Sequence, residues 1–76
     1  MGKLPVLSGR DVIKALQKAG FEVHHQTGSH VIVKQIHPPH LRLSVPDHGA
    51  LKRGLLRAII RDAGLTREQF DALLER

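Results

Sequence analysis

Gly28-Ser29-His30-Val31-Ile32-Val33 is the stretch whose reading decides the fold of this chain. A Gly-Ser turn hands over to a run of β-branched residues, and such a run reads as a strand. Backwards from it, residues 21–26 read as a partner strand with Phe21 and Val23 inward. Thr27-Gly28 supplies a tight turn and residues 29–36 the second strand, so the pair is a hairpin. Forwards, His37-Pro38-Pro39-His40 is not regular structure, because each proline removes an amide donor. Leu41, Leu43 and Val45 then alternate with Arg42 and Ser44, which gives a third strand with one buried face, ended by Pro46.

Helices flank this sheet. Ser8 is placed as an N-cap, with Asp11 at the third helical position in a loose capping box. Val12, Ile13, Leu16 and Ala19 recur at helical spacing, and Gly20 stops the helix. A second helix is expected over residues 50–63. Leu55, Leu56, Ile59, Ile60 and Ala63 share one arc of it, and Arg53, Arg57 and Arg61 form an i, i+4 row beside that arc. Gly64 closes it. Thr66 and Gln69 form a capping box for a short helix carrying Phe70, Leu73 and Leu74. The order is α-β-β-β-α with a short C-terminal helix appended. The fold class is therefore α+β: a three-stranded antiparallel sheet with helices on one face.

Seventy-six residues make one small domain, 1–76, and leave no room for separate cofactor and substrate domains. A chain of this size is often completed by a partner or a second copy. No apolar stretch approaches the 18 or so residues of a membrane span. Residues 1–7 are too short for an export signal, and Leu7 does not fit a myristoylation motif, so the cytoplasm is the expected location. Without cysteine there are no disulfides and no zinc–thiolate sites.

The charge is uneven. Residues 1–61 carry ten Lys or Arg against three Asp or Glu, whereas residues 62–76 carry two against four. A basic body implies a polyanionic partner, most often nucleic acid. With two Phe and no Tyr or Trp, base stacking is a poor account of binding. Phosphate contacts and shape have to carry it.

His30 is the leading candidate for chemistry. Imidazole titrates near neutral pH, so it can take or give a proton at each stage of a reaction. RNA carries its own nucleophile, the 2′-hydroxyl. One fixed imidazole with lysine or arginine nearby is then enough, with no metal. The competing reading is a strand histidine that only packs or hydrogen-bonds. His48 is either a second proton carrier, a phosphate contact or a residue that orders its turn. Lys52, Arg53, Arg57 and Arg61 either grip phosphates or form a solvated helix face. His37 and His40 are three apart, as metal ligands can be, but no carboxylate or thiolate lies near them in sequence. His24 and His25 are expected on opposite faces of their strand. No metal and no cofactor are therefore expected.

In order and spacing the chain resembles HicA, the toxin of the HicA–HicB toxin–antitoxin systems, a family also called YcfA-like. The resemblance covers residues 8–74. It rests on Gly20-Phe21, on Gly28-Ser29-His30, on Val45-Pro46-x-His48, and on Leu51-Lys52-x-Gly54-x-Leu56-x-x-Ile59 followed by Ala63-Gly64-Leu65. It implies a double-stranded-RNA-binding-like fold and an mRNA interferase, an endoribonuclease that cuts mRNA and blocks translation. It implies His30 as the catalytic histidine. Ser29 is then a turn or hydrogen-bonding residue at the RNA rather than a nucleophile, since no triad is evident. It also implies a HicB-like antitoxin over that face, through which alone the complex meets DNA. An acidic antitoxin covering His30 and the basic helix is the form expected here. Two features depart from the family pattern. Leu55 stands where Thr is frequent, and the Pro38-Pro39 loop is particular to this chain. The alternative from another class is a non-catalytic RNA- or protein-binding module with a structural His30.

Overall fold

A computed structural model describes residues 5–74. The expectations about an export signal and a myristoyl motif fall largely on residues 1–4, outside the described residues. The elements are α1 (Gly9–Lys18), β1 (Phe21–Thr27), β2 (His30–Gln35), β3 (Arg42–Pro46), α2 (Arg53–Asp62) and α3 (Arg67–Leu73). The three strands form one antiparallel sheet in the order β1-β2-β3, so the protein is α+β, as the patterning predicts.

Local chemistry accounts for most boundaries. Both capping boxes are closed in both directions. Ser8 Oγ accepts from the Asp11 amide at 3.0 Å while Asp11 accepts from the Ser8 amide at 3.2 Å. Thr66 and Gln69 repeat the pattern at 3.0 and 2.8 Å. Each box satisfies two amides that the first helical turn would otherwise leave without partners. The hairpin turn is Gly28-Ser29, one residue later than expected, because Thr27 pairs with His30. Gly28 takes φ +58°, a conformation that other residues adopt at a cost.

The inner face of the sheet carries Phe21, Val31, Val33, Leu43 and Val45. They pack with Val12, Ala15 and Leu16 of α1, with Leu56, Ile59 and Ile60 of α2, and with Phe70 of α3 in one core. Two expectations about α2 need correction. The second helix begins at Arg53, not at 50; Leu51 is buried ahead of it, its amide held by the Leu7 carbonyl at 2.8 Å. Leu55 is 40% exposed, because it lies at the margin of the apolar arc rather than within it. Val23 points inward but at an edge strand, which leaves it 47% exposed.

β1 also breaks register. The pairing shifts between Val23 and His25, so that His24 has no partner on β2. Strict alternation of side chains fails at such a bulge. The expectation that His24 and His25 take opposite faces is overturned. Their Nδ1 atoms lie 2.7 Å apart, and the rings meet edge to face.

Candidate functional site

The outer face of the sheet is the surface to which the helices do not contribute. Strand parity assigns it from the buried residues. With Val31 and Val33 inward, His30, Ile32 and Lys34 of β2 stand outward. The register carries this across the sheet. His25 lies opposite Ile32 and Thr27 opposite His30 on one side. Ser44 lies opposite Ile32, Arg42 opposite Lys34 and Pro46 opposite His30 on the other.

His30 is the first residue of the central strand, paired on both sides, with its side chain exposed. A ladder on each side is the strongest local restraint a sheet offers, so the imidazole is presented from a rigid backbone. The corner beside it is tied by backbone bonds. The Asp47 amide donates to the Ser29 carbonyl at 2.7 Å, and the Gly9 amide donates to the His48 carbonyl at 2.9 Å. Gly9 is required there, since a Cβ on it would fall on the Pro46 carbonyl oxygen. Arg10 reaches Asp47 at 3.2 Å, an exposed pair of little energetic weight. Ser29, His30, Asp47, His48 and the start of α1 thus form one corner.

Lys52 occupies the N-cap position of α2 without a side-chain cap, and the residue before it is tied to the segment that enters α1 by the Leu51 amide donating to the Leu7 carbonyl. From there α2 runs to the other end of the sheet, where Gly64 approaches Leu41. Eight steps of 1.5 Å rise carry Arg61 about 12 Å along the axis from Arg53. The cationic row therefore does not converge on His30. Lys52 and Arg53 begin near the corner. Arg57 and Arg61 instead line an open groove of about 350 Å³ together with Ile60, Leu65 and Arg67. Arg61 is paired with Asp62 at 3.3 Å, and Arg67 with both oxygens of Asp71 at 3.1 and 3.2 Å.

The histidine loop takes no part in this arrangement. The His37 carbonyl accepts from the His40 amide at 2.9 Å, and the Gln35 side chain accepts from the Leu41 amide at 3.2 Å. No group of three or more potential metal ligands is brought together among the described residues. Among the described residues Lys34 and Arg42 are the sheet cations that stand on the His30 face; strand parity turns each outward, and the register makes them neighbours. The His24–His25 contact depends on a bulge that has no signature in the sequence.

A family model for the HicA toxin of bacterial toxin–antitoxin systems matches residues 9–65. The chain belongs to the HicA toxin family. The match takes in α1, the whole sheet and α2, and with them His30, His48 and the basic row. It stops short of α3. Membership gives this HicA-family chain a toxin role and implies a HicB-type antitoxin as its partner. No curated protein matches it. Among the described residues no helix is long and apolar enough to cross a membrane.

Proposed function

We propose that this HicA-family protein is a metal-independent endoribonuclease that cleaves mRNA in the cytoplasm, with His30 moving the proton of the 2′-hydroxyl. One observation carries the reading: an exposed imidazole on the central strand, on the same sheet face as Lys34 and Arg42 and, among the described residues, outside any group of three potential metal ligands. Attack of the 2′-oxygen on phosphorus needs its proton removed, and a fixed histidine is a suitable acceptor. The purified protein is expected to cut RNA in excess EDTA and to leave a strand with a single 2′-deoxynucleotide at the cut site intact. Activity that stops in EDTA and returns with magnesium or zinc would refute the metal-free mechanism.

Lys34 and Arg42 on the outer face and Lys52 and Arg53 at the start of α2 hold phosphates close to the cut. Arg57 and Arg61 do so further along the strand. Ser29 and His48 order the corner on which the RNA lies. Since phosphates carry no sequence information, loss of any one cation should weaken all RNA sequences alike. It should also lower the salt slope by about 0.7 for a single strand. Binding isotherms from low to high salt measure this. A variant with altered sequence preference and an unaltered slope would contradict it.

The HicB-type partner is an acidic protein that covers His30 and the basic helix, and it inhibits by occlusion. Titrated into the cleavage reaction it should stop the enzyme at stoichiometric ratio without unfolding it. Continued cleavage by the saturated complex would sink this account.

A further inference from the structure

Cleavage through the 2′-hydroxyl moves two protons. One leaves the nucleophile, and one must reach the 5′-oxygen as its bond to phosphorus breaks. A single imidazole in contact with the first oxygen is badly placed for the second, because attack and departure occur on opposite sides of phosphorus. The outer face of the sheet holds a second exposed imidazole. His25 lies opposite Ile32, and His30 is two residues before Ile32 on the same strand and face. The two histidines are therefore diagonal cross-strand neighbours, which stand about 7–8 Å apart. That interval leaves room for one phosphate between two imidazoles.

The β1 bulge gives His25 something His30 lacks, an orienting partner. Nδ1 of His25 and Nδ1 of His24 are 2.7 Å apart, hydrogen-bond distance, so one of them carries the proton and the other accepts it. With the proton on His25 Nδ1 and the lone pair on His24 Nδ1, every further exchange at His25 is confined to Nε2. This is the arrangement in which a third group fixes the tautomer of a working histidine.

We infer that His25 is the general acid of the reaction and His24 its positioning residue. The inference rests on the ribonuclease reading above. His30 accepts the 2′-hydroxyl proton as the 2′-oxygen bonds to phosphorus. The bond from phosphorus to the 5′-oxygen breaks with its electron pair on that oxygen, which takes the Nε2 proton of the His25 imidazolium. The products are a 2′,3′-cyclic phosphate and a free 5′-hydroxyl. His30 ends with one proton more and His25 with one fewer, still holding its Nδ1 proton toward His24, and exchange with water restores both. The other titratable and charged groups on this face among the described residues are Glu22 from β1, Lys34 from β2 and Arg42 from β3. Among the described residues no helix packs against it.

The test uses two substrates with the same cut site: ordinary RNA, and RNA with sulfur in place of the bridging 5′-oxygen. A thiolate leaves without a proton, so it has no need of an acid. His25→Ala should lower kcat on ordinary RNA by about 100-fold or more. The same variant should match the wild type on the sulfur substrate within a few-fold. His30→Ala should remain defective on both. His24→Ala should lower kcat with KM unchanged, should lose that defect on the sulfur substrate, and should be partly restored by His24→Asn, whose side-chain oxygen can accept the same hydrogen bond. If the wild type cuts RNA and His25→Ala cuts it equally well, His25 is not the acid and the inference fails alone. A defect in His25→Ala that persists with sulfur overturns it equally. If the wild type cuts neither substrate, the ribonuclease reading fails and takes this one with it.

Discussion

His30→Ala is expected to slow RNA cleavage by between about 100- and 10,000-fold, the range in which one positioned proton carrier contributes. Folding should be nearly untouched. The side chain is exposed, its removal leaves no cavity, and alanine keeps both backbone ladders of β2. RNA binding should persist as well, because the cations that hold phosphate are separate residues. Three measurements on one variant decide the matter: single-turnover cleavage, RNA affinity and thermal unfolding. A variant that cuts RNA at the wild-type rate would make His30 structural and leave a binding module as the account of the chain. A variant that loses cleavage only because it unfolds would also remove the case for His30 as a proton carrier. His30→Gln, which keeps hydrogen-bonding capacity but cannot exchange protons near neutral pH, should be as inactive as the alanine variant.

The largest effect on stability is expected at Phe70. This ring is fully buried, although α3 has only seven residues and lies beyond the part of the chain that matches the family model. A seven-residue helix is marginal by itself, so α3 is held by what it buries. Removing a buried phenylalanine side chain costs about 3–5 kcal/mol, from lost transfer energy and the cavity left behind. A small domain has about 5–15 kcal/mol in total. Phe70→Ala should therefore lower the unfolding midpoint by more than about 12 °C. Denaturant titration with an unchanged slope would show that stability, and not the compactness of either state, has changed. A midpoint within about 3 °C of the wild type would mean that α3 can detach without cost to the core.

How far the sequence could be read depended on whether a residue's role was set by its neighbours in the chain. Both capping boxes, the glycine helix exits at Gly20 and Gly64, and the strand alternation of Leu41 to Val45 are local devices, and the structure has them where the patterning predicts. The start of α2 was displaced by three residues because Leu51 follows its contact with Leu7 rather than helix periodicity. The place of His30 at the start of a strand was legible because a turn and a β-branched run bracket it. Lys34 and Arg42 stand out less in the sequence than the basic helix does. An i, i+4 row is conspicuous along a chain, whereas two cations paired across strands become neighbours only once the register is known. The contact between His24 and His25 had no sequence signal. An extra residue in one strand arises from the pairing of β1 with β2, and alternation in β1 alone argued for opposite faces.

That bulge has a bearing on solubility as well. A three-stranded open sheet ends in two strands, β1 and β3, each with one row of amides and carbonyls that the sheet does not use. Such rows are templates on which another chain can stack and begin to aggregate. β3 presents only five residues and stops at a proline, which offers no donor. β1 is longer, with seven, and would be the more dangerous border if it were straight. The irregularity at His24 bends it and breaks the even spacing that an incoming strand would have to match. The same inserted residue that sets two imidazoles side by side thus also makes the β1 edge a poorer template for an incoming strand.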